Sequence, residues 1–221
     1  MDSTLADADA EDAEPTRRGR ASWGTITRES LIQAAMDEIA AGRFERLTVR
    51  TLAARLGVAP MSLYRHVRNK EDLLDEVTDR LLAEAWEPAL DQTDTRAWLV
   101  EACDRFRGLL VRQPAALHVF LSHPVTSAAA MVRQRSILDA LAARGLDEQA
   151  ARRLYAAMHT YTLGFAALEA SRARWLANNR VTANPETAWL AAMTSPRQFA
   201  AGLTALLDGS RQVTDTRGDP W

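Results

Sequence analysis

The chain has 221 residues, 47% of them hydrophobic and 25% charged, with a formal net charge of −2. That length buries a sizeable core and suggests one or two domains, and the composition excludes a fibrous or low-complexity protein. Cys103 is the single cysteine, which excludes an intrachain disulfide and a multi-cysteine zinc site.

Residues 1–22 form an expected disordered arm. The first 14 carry six acids and no base, and Arg17, Arg18 and Arg20 follow. The arm reads either as a solvated tail or as a strap whose arginines touch a nucleic-acid backbone or minor groove. Its acidic start is unlike a secretion signal, and no apolar run approaches the ~18 residues of a membrane span. A cytoplasmic location with no membrane partner is the expectation.

A helix is expected over 27–41, with Leu31, Ala35 and Ile39 on one face and Gly42 ending it. Thr48 can cap the next helix, which begins near Val49. Leu52, Leu56, Leu63 and Val67 stand at spacings that let two short helices share a core, with Ala53 small at their crossing. Gly57 supplies a left-handed backbone after the first of them. Val58 plugs the core, and Pro60 opens the second, over 60–67. The pair reads as a helix-turn-helix, a unit that places its second helix in the DNA major groove. Ser62, Tyr64, Arg65 and His66 then point outward, able to donate to base edges and phosphates.

Such pairs also occur in helical proteins that never touch DNA. The charge distribution favours DNA. Residues 15–70 hold 11 bases against 4 acids, a net of +7, whereas 71–221 hold 16 bases and 19 acids, a net of −3. Positive charge is therefore concentrated on the motif, as a phosphate-binding footprint requires. A non-specific DNA-compacting protein should instead be basic throughout.

Asn69 can cap a linking helix over 71–88, with Glu71 and Asp72 complementing its positive end. Beyond it, 89–208 read as a larger helical domain. Helices are expected from about 95 to Pro114, over 115–121, 126–144 and 147–178, and over 196–207 before a disordered tail, 209–221. Trp189 falls in a further short helix. No strand alternation or internal repeat is present, so the fold class is all-α.

The 147–178 helix carries Leu154, Met158, Tyr161, Phe165 and Leu168 on one side, and small Ala157, Gly164, Ala167 and Ala170. The last helix offers Phe199, Leu203, Leu206 and Leu207. These stripes fit either an intrachain core or a four-helix bundle across a two-fold axis. Reading two half-sites ~34–36 Å apart favours the homodimer. Trp86, Phe106, His118, Phe120, His123, Met158, Tyr161 and Phe165 are either core or the wall of a pocket for a planar or lipophilic molecule. Cys103, His118, His123 and His159 invite a nucleophile–base reading. They lie on apolar helical segments without a nucleophile elbow or a phosphate loop, so no enzyme, metal or cofactor is expected.

Residues 26–86 resemble the DNA-binding domain of the tetracycline-repressor family of bacterial one-component regulators. TRESLIQAAMDEIAA, LTVRTLAARLGV and SLYRHVRNKEDLL carry the likeness. Leu63–Tyr64, His66–Val67 and Asn69–Lys70 are its most specific pairs. It extends more weakly through FRGLLVRQP and HTYTLGFAALEA. The resemblance implies a homodimeric repressor on a palindromic double-stranded operator, released by a small-molecule effector, and the linking helix is the candidate for transmitting that motion. It implies DNA contacts from Thr48, Arg50, Pro60, Met61, Ser62, Tyr64, Arg65, His66 and Lys70, with Arg50 at a base-reading position and Lys70 at a phosphate. Pro60 and Met61 stand where a glutamine and a proline read bases, and Arg65 replaces a tryptophan, so a different operator is implied. Trp86 and Ala102 replace a histidine and an asparagine, and Glu169 is one residue out of step. A magnesium–tetracycline effector is therefore not expected. The alternatives are a helical DNA-binding protein without a ligand switch and a small-molecule enzyme.

Overall fold

Helix α1, Arg28–Ala40, starts on a reciprocal cap. The Ser30 N–H donates to Thr27 Oγ1 and the Thr27 N–H to Ser30 Oγ, each at 3.1 Å. Two of the orphan donors of a helix start are thereby satisfied. The structure is a computed structural model that describes residues 26–85, 94–123, 126–178, 188–189 and 192–209. Trp86, the 1–22 arm and most of the 209–221 tail lie outside the described residues. Among the described residues every regular element is a helix.

A one-turn 3-10 helix, Phe44–Arg46, leads to α2, Val49–Leu56. Thr48 and Thr51 repeat the reciprocal cap at 3.0 and 2.9 Å. Gly57 closes α2 at φ 68°, in the left-handed region where a Cβ is costly. Helix α3 covers only Pro60–Leu63, not the expected 60–67. The Leu63 carbonyl accepts from both the His66 N–H at 2.8 Å and the Val67 N–H at 3.1 Å. This double acceptance tightens the chain into turns and drops Val67 into the core, where it is 1% exposed. Helix α4, Lys70–Ala85, follows, with the Asp72 N–H capped by Asn69 Oδ1 at 2.7 Å.

The remaining helices are α5 (Thr95–Arg112), α6 (Pro114–Ser122), α7 (Ala128–Ala142), α8 (Glu148–Asn178) and α9 (Pro196–Gly209). One core joins α1–α4 to the rest. Leu31, Leu52, Leu63, Leu73 and Val77 pack in the same cluster as Leu110 of α5 and Val119 of α6. The linking helix α4 is thus a shared wall rather than a free strut. A second cluster gathers Leu99, Met158, Phe165, Phe199, Leu203 and Leu207. Most of the stripe that could have paired two copies is therefore core within one chain. Leu168 and Trp175 stay outward, at 54% and 51% exposure.

Candidate nucleic-acid interface and effector cavity

The helix-turn-helix presents a polar outer face. Arg50, Pro60, Met61, Tyr64 and Arg65 are exposed, with Met61 at 73% and Tyr64 at 44%, while Ser62 and His66 are half-buried. Thr48 is exposed at the α2 cap. These predicted residues converge on one surface because α2 and α3 share a core through Leu52 and Leu63. Lys70, at the start of α4, is half-buried. Its ammonium donates to the Phe44 carbonyl at 3.2 Å and lies over the Phe44 ring at 4.6 Å. It fastens the 3-10 turn to α4.

Much of the local positive charge is neutralised internally. Arg43 and Arg55 both pair with Glu38, Arg28 with Glu76, and Arg68 with Asp72. Hydrogen bonding from Arg43, then from Arg55, holds the Glu38 carboxyl down at about 2. Among the described residues Arg46, Arg50 and Arg65 make no ion pair, and all three are exposed. Their guanidiniums remain available to an external anion. Glu38 meets Arg55 across 17 positions, a separation that leaves no local signal in the sequence.

A second feature lies deeper. A cavity of about 360 Å³ opens between α5, α7 and α8, closed by Leu82 of α4 and the end of α6. Of the eight residues expected at a pocket, Phe106, Phe120, His123 and Met158 line it. His118 does not. It is exposed and packs edge-on against Phe44, with ring centroids 4.3 Å apart. Tyr161 and Phe165 also lie elsewhere. The Tyr161 hydroxyl donates to the Phe199 carbonyl at 3.1 Å, and both rings pack on Phe199 to join α8 to α9. Glu169 accepts from buried Arg107 at 2.6 Å.

Sequence reasoning missed Arg133, Gln134, Tyr155, His159 and Thr162 on the cavity wall. Tyr155, Met158, His159 and Thr162 recur at helical spacing on one face of α8, which was the available signal. Burial pushes the Cys103 thiol up to about 11 and pulls the His159 imidazole down. The thiol is protonated at neutral pH, so it is a poor nucleophile.

Helix α4 is tied to both regions. Arg28–Glu76 and Arg80–Glu29 ion pairs join it to α1. On the other side Asp75 meets His123 Nε2 at 3.2 Å, Asp79 accepts from the Ala129 N–H at 3.2 Å, and Glu84 accepts from Gln113 at 2.8 Å.

The model for bacterial regulatory proteins of the tetR family matches residues 31–77, and that for the tetracycline-repressor-like C-terminal domain matches residues 87–214. The chain belongs to the tetracycline-repressor family. The members of this family are bacterial regulatory proteins. It is 33% identical over 133 residues to the transcriptional repressor DrrR1 of Streptomyces coeruleorubidus, a match covering 60% of this chain and 49% of that one. It is 37% identical over 93 residues to the class A tetracycline repressor of Escherichia coli, covering 40% and 43%. The chain therefore spans about half the length of these relatives. BioQ of Mycobacterium smegmatis shares the fold at a TM-score of 0.66 and 26% identity, over 84% of this chain and 98% of that one. A structure of BioQ with its natural double-stranded DNA operator aligns at a TM-score of 0.60 and 25% identity. Among the described residues, no helix is long and apolar enough to cross a membrane.

Proposed function

We propose that the protein is a cytoplasmic transcriptional repressor that binds a palindromic operator as a homodimer and is released by a small molecule. The carrying observation is the exposed face of the helix-turn-helix, where Arg50 of α2 and Arg65 just after α3, with Arg46 on the preceding 3-10 turn, stay outside the ion-pair network that occupies the neighbouring arginines. BioQ holding its operator supports DNA as the partner. Arg50 reads a base, since a guanidinium can grip guanine O6 and N7 together. Thr48, Pro60, Met61, Ser62, Tyr64, Arg65 and His66 complete the DNA face, through phosphate and base-edge contacts. The homodimer is supported by the outward stripe of Gly164, Leu168 and Trp175 on α8. Gly164, at one end of the stripe, lets a second helix approach closely, and two copies supply the two recognition elements a palindrome needs. The 360 Å³ cavity, with Phe106, Phe120, His123 and Met158 on its wall, takes the effector.

Release needs an effector that binds the non-operator conformation better, because equal affinity shifts nothing. An Arg50→Ala variant should lose roughly 1–3 kcal/mol of discrimination at one operator position and keep its preferences elsewhere. A binding-site selection on randomised duplexes that returns an unchanged base at every position would remove Arg50 from base reading.

A further inference from the structure

Met61 is 73% exposed, more than any other large hydrophobic side chain among the described residues. Its position follows from the helical period. Leu63 and Val67 point into the core, at 0% and 1% exposure, and this turns the opposite side of α3 outward. Tyr64 continues the helical turn at φ −63° and ψ −12° and is 44% exposed. Met61 and Tyr64 stand three positions apart, so they share the outward side, and exposed Arg65 follows directly. A single exposed apolar side chain is ordinary on a protein surface. The surroundings of Met61 are not ordinary. No Asp or Glu occurs between Glu45 and Glu71, and Arg46, Arg50 and Arg65 make no ion pair among the described residues. A bare thioether chain thus sits on a face whose charge is complementary to a polyanion.

On such a face the occupant of Met61 is fixed by base chemistry. The base edges of the major groove present hydrogen-bond donors and acceptors, and one apolar group, the C5 methyl of thymine. Methionine has no donor, and its sulfur is a weak acceptor. Set against guanine O6 or cytosine N4, it would remove water from a polar group and return no hydrogen bond. Set against a methyl it buries apolar surface on both sides, and its three rotatable bonds let it follow the groove floor.

We propose that Met61 reads the C5 methyl of a thymine in each half of the operator. The proposal rests on the operator-binding reading above and names the chemistry recognised at one base position. It has two consequences. Deoxyuridine keeps the pairing and the hydrogen-bonding edge of thymine but lacks the methyl, so it is the poorer partner. 5-Methylcytosine carries a methyl at the same place, so it is a better partner than cytosine.

The test starts from an operator recovered by selecting randomised duplexes on the full-length protein. Each thymine in turn is replaced by deoxyuridine, and dissociation constants are measured by fluorescence anisotropy at one fixed salt concentration. At one thymine in each half-site, loss of the methyl is expected to weaken wild-type binding about three- to fivefold, as burial of one methyl implies. Met61→Ala should bind the thymine and deoxyuridine duplexes equally. Met61→Gln, similar in length but polar, should lose the penalty as well. Both should keep the wild-type thermal midpoint, because Met61 packs outside the core. With cytosine at the same position, C5 methylation should tighten wild-type binding by a similar factor and leave Met61→Ala unaffected. Indifference of the wild type to every deoxyuridine replacement would overturn the proposal and leave the operator reading in place. So would a penalty of the same size in Met61→Ala, which would assign the methyl to another contact. A selection that returns no preferred sequence would remove the operator reading and this proposal with it.

Discussion

Glu38 holds two arginines at once, and that arrangement makes a pH signature. Its folded carboxyl ionises at about 2 against an ordinary 4.5. A carboxylate with a depressed pKa binds fewer protons folded than unfolded, so its contribution is complete above 4.5 and is lost as the pH falls towards 2. The gap in thermal midpoint between wild type and Glu38→Gln is expected to be widest above that window and to close within it. A gap that stays constant through the acid range would remove Glu38 as the source. At this scale the sequence was partly legible. His118 and Phe120 sit two positions apart on α6 and so face different ways, which is why only Phe120 lines the cavity. Phe165 shares the face of Met158 but lies seven residues, roughly 10 Å, farther along α8, and meets Phe199 instead. Helical period is visible in a sequence. The partner waiting at each height of the helix is not.

Helix boundaries were legible wherever a cap fixed them. Thr48, Asn69, Gly57 and Pro60 each act as their chemistry demands, whereas Thr27, expected inside the first helix, is its cap. The exception is α3, which stops at Leu63 because one carbonyl serves two donors, a choice made by the burial of Val67 rather than by local propensity. The junction of α8 and α9 shows a second limit. A Cβ added at Gly202 would lie 2.2 Å from the Tyr161 hydroxyl and 2.7 Å from its Cζ, and that hydroxyl is already bonded to the Phe199 carbonyl. Gly202→Ala is expected to cost about 1–3 kcal/mol by overpacking, seen as a lower denaturant midpoint at unchanged slope. An unchanged midpoint would mean that the Tyr161 ring swings aside freely. In the sequence Gly202 reads only as a flaw in a helix.

Across the whole molecule the all-helical architecture and the concentration of charge on the first third were legible, because both rest on composition and period. The division into a reading head and a separate sensor was less so. The shared core runs from α1 through α4 into α5 and α6, and polar contacts fasten α4 on both flanks. A displacement of α4 is therefore communicated by packing to both regions, whereas a flexible link would absorb it. The dimer stripe was ambiguous for a related reason. Leu154, Met158, Phe165 and Leu203 satisfy either partner by pattern, and they are buried within one chain. Operator recognition is the proposed function on which the other proposed roles depend. It is tested most directly by titrating the purified full-length protein with DNA flanking its own gene, and with a scrambled duplex of equal length, across a salt series. The expected outcome is a preference of roughly 10³ or more at physiological salt, with a salt slope to which each arginine on a phosphate contributes about one. Equal, weak binding of both duplexes that vanishes as salt rises would leave only phosphate attraction and would refute a sequence-specific role at that site.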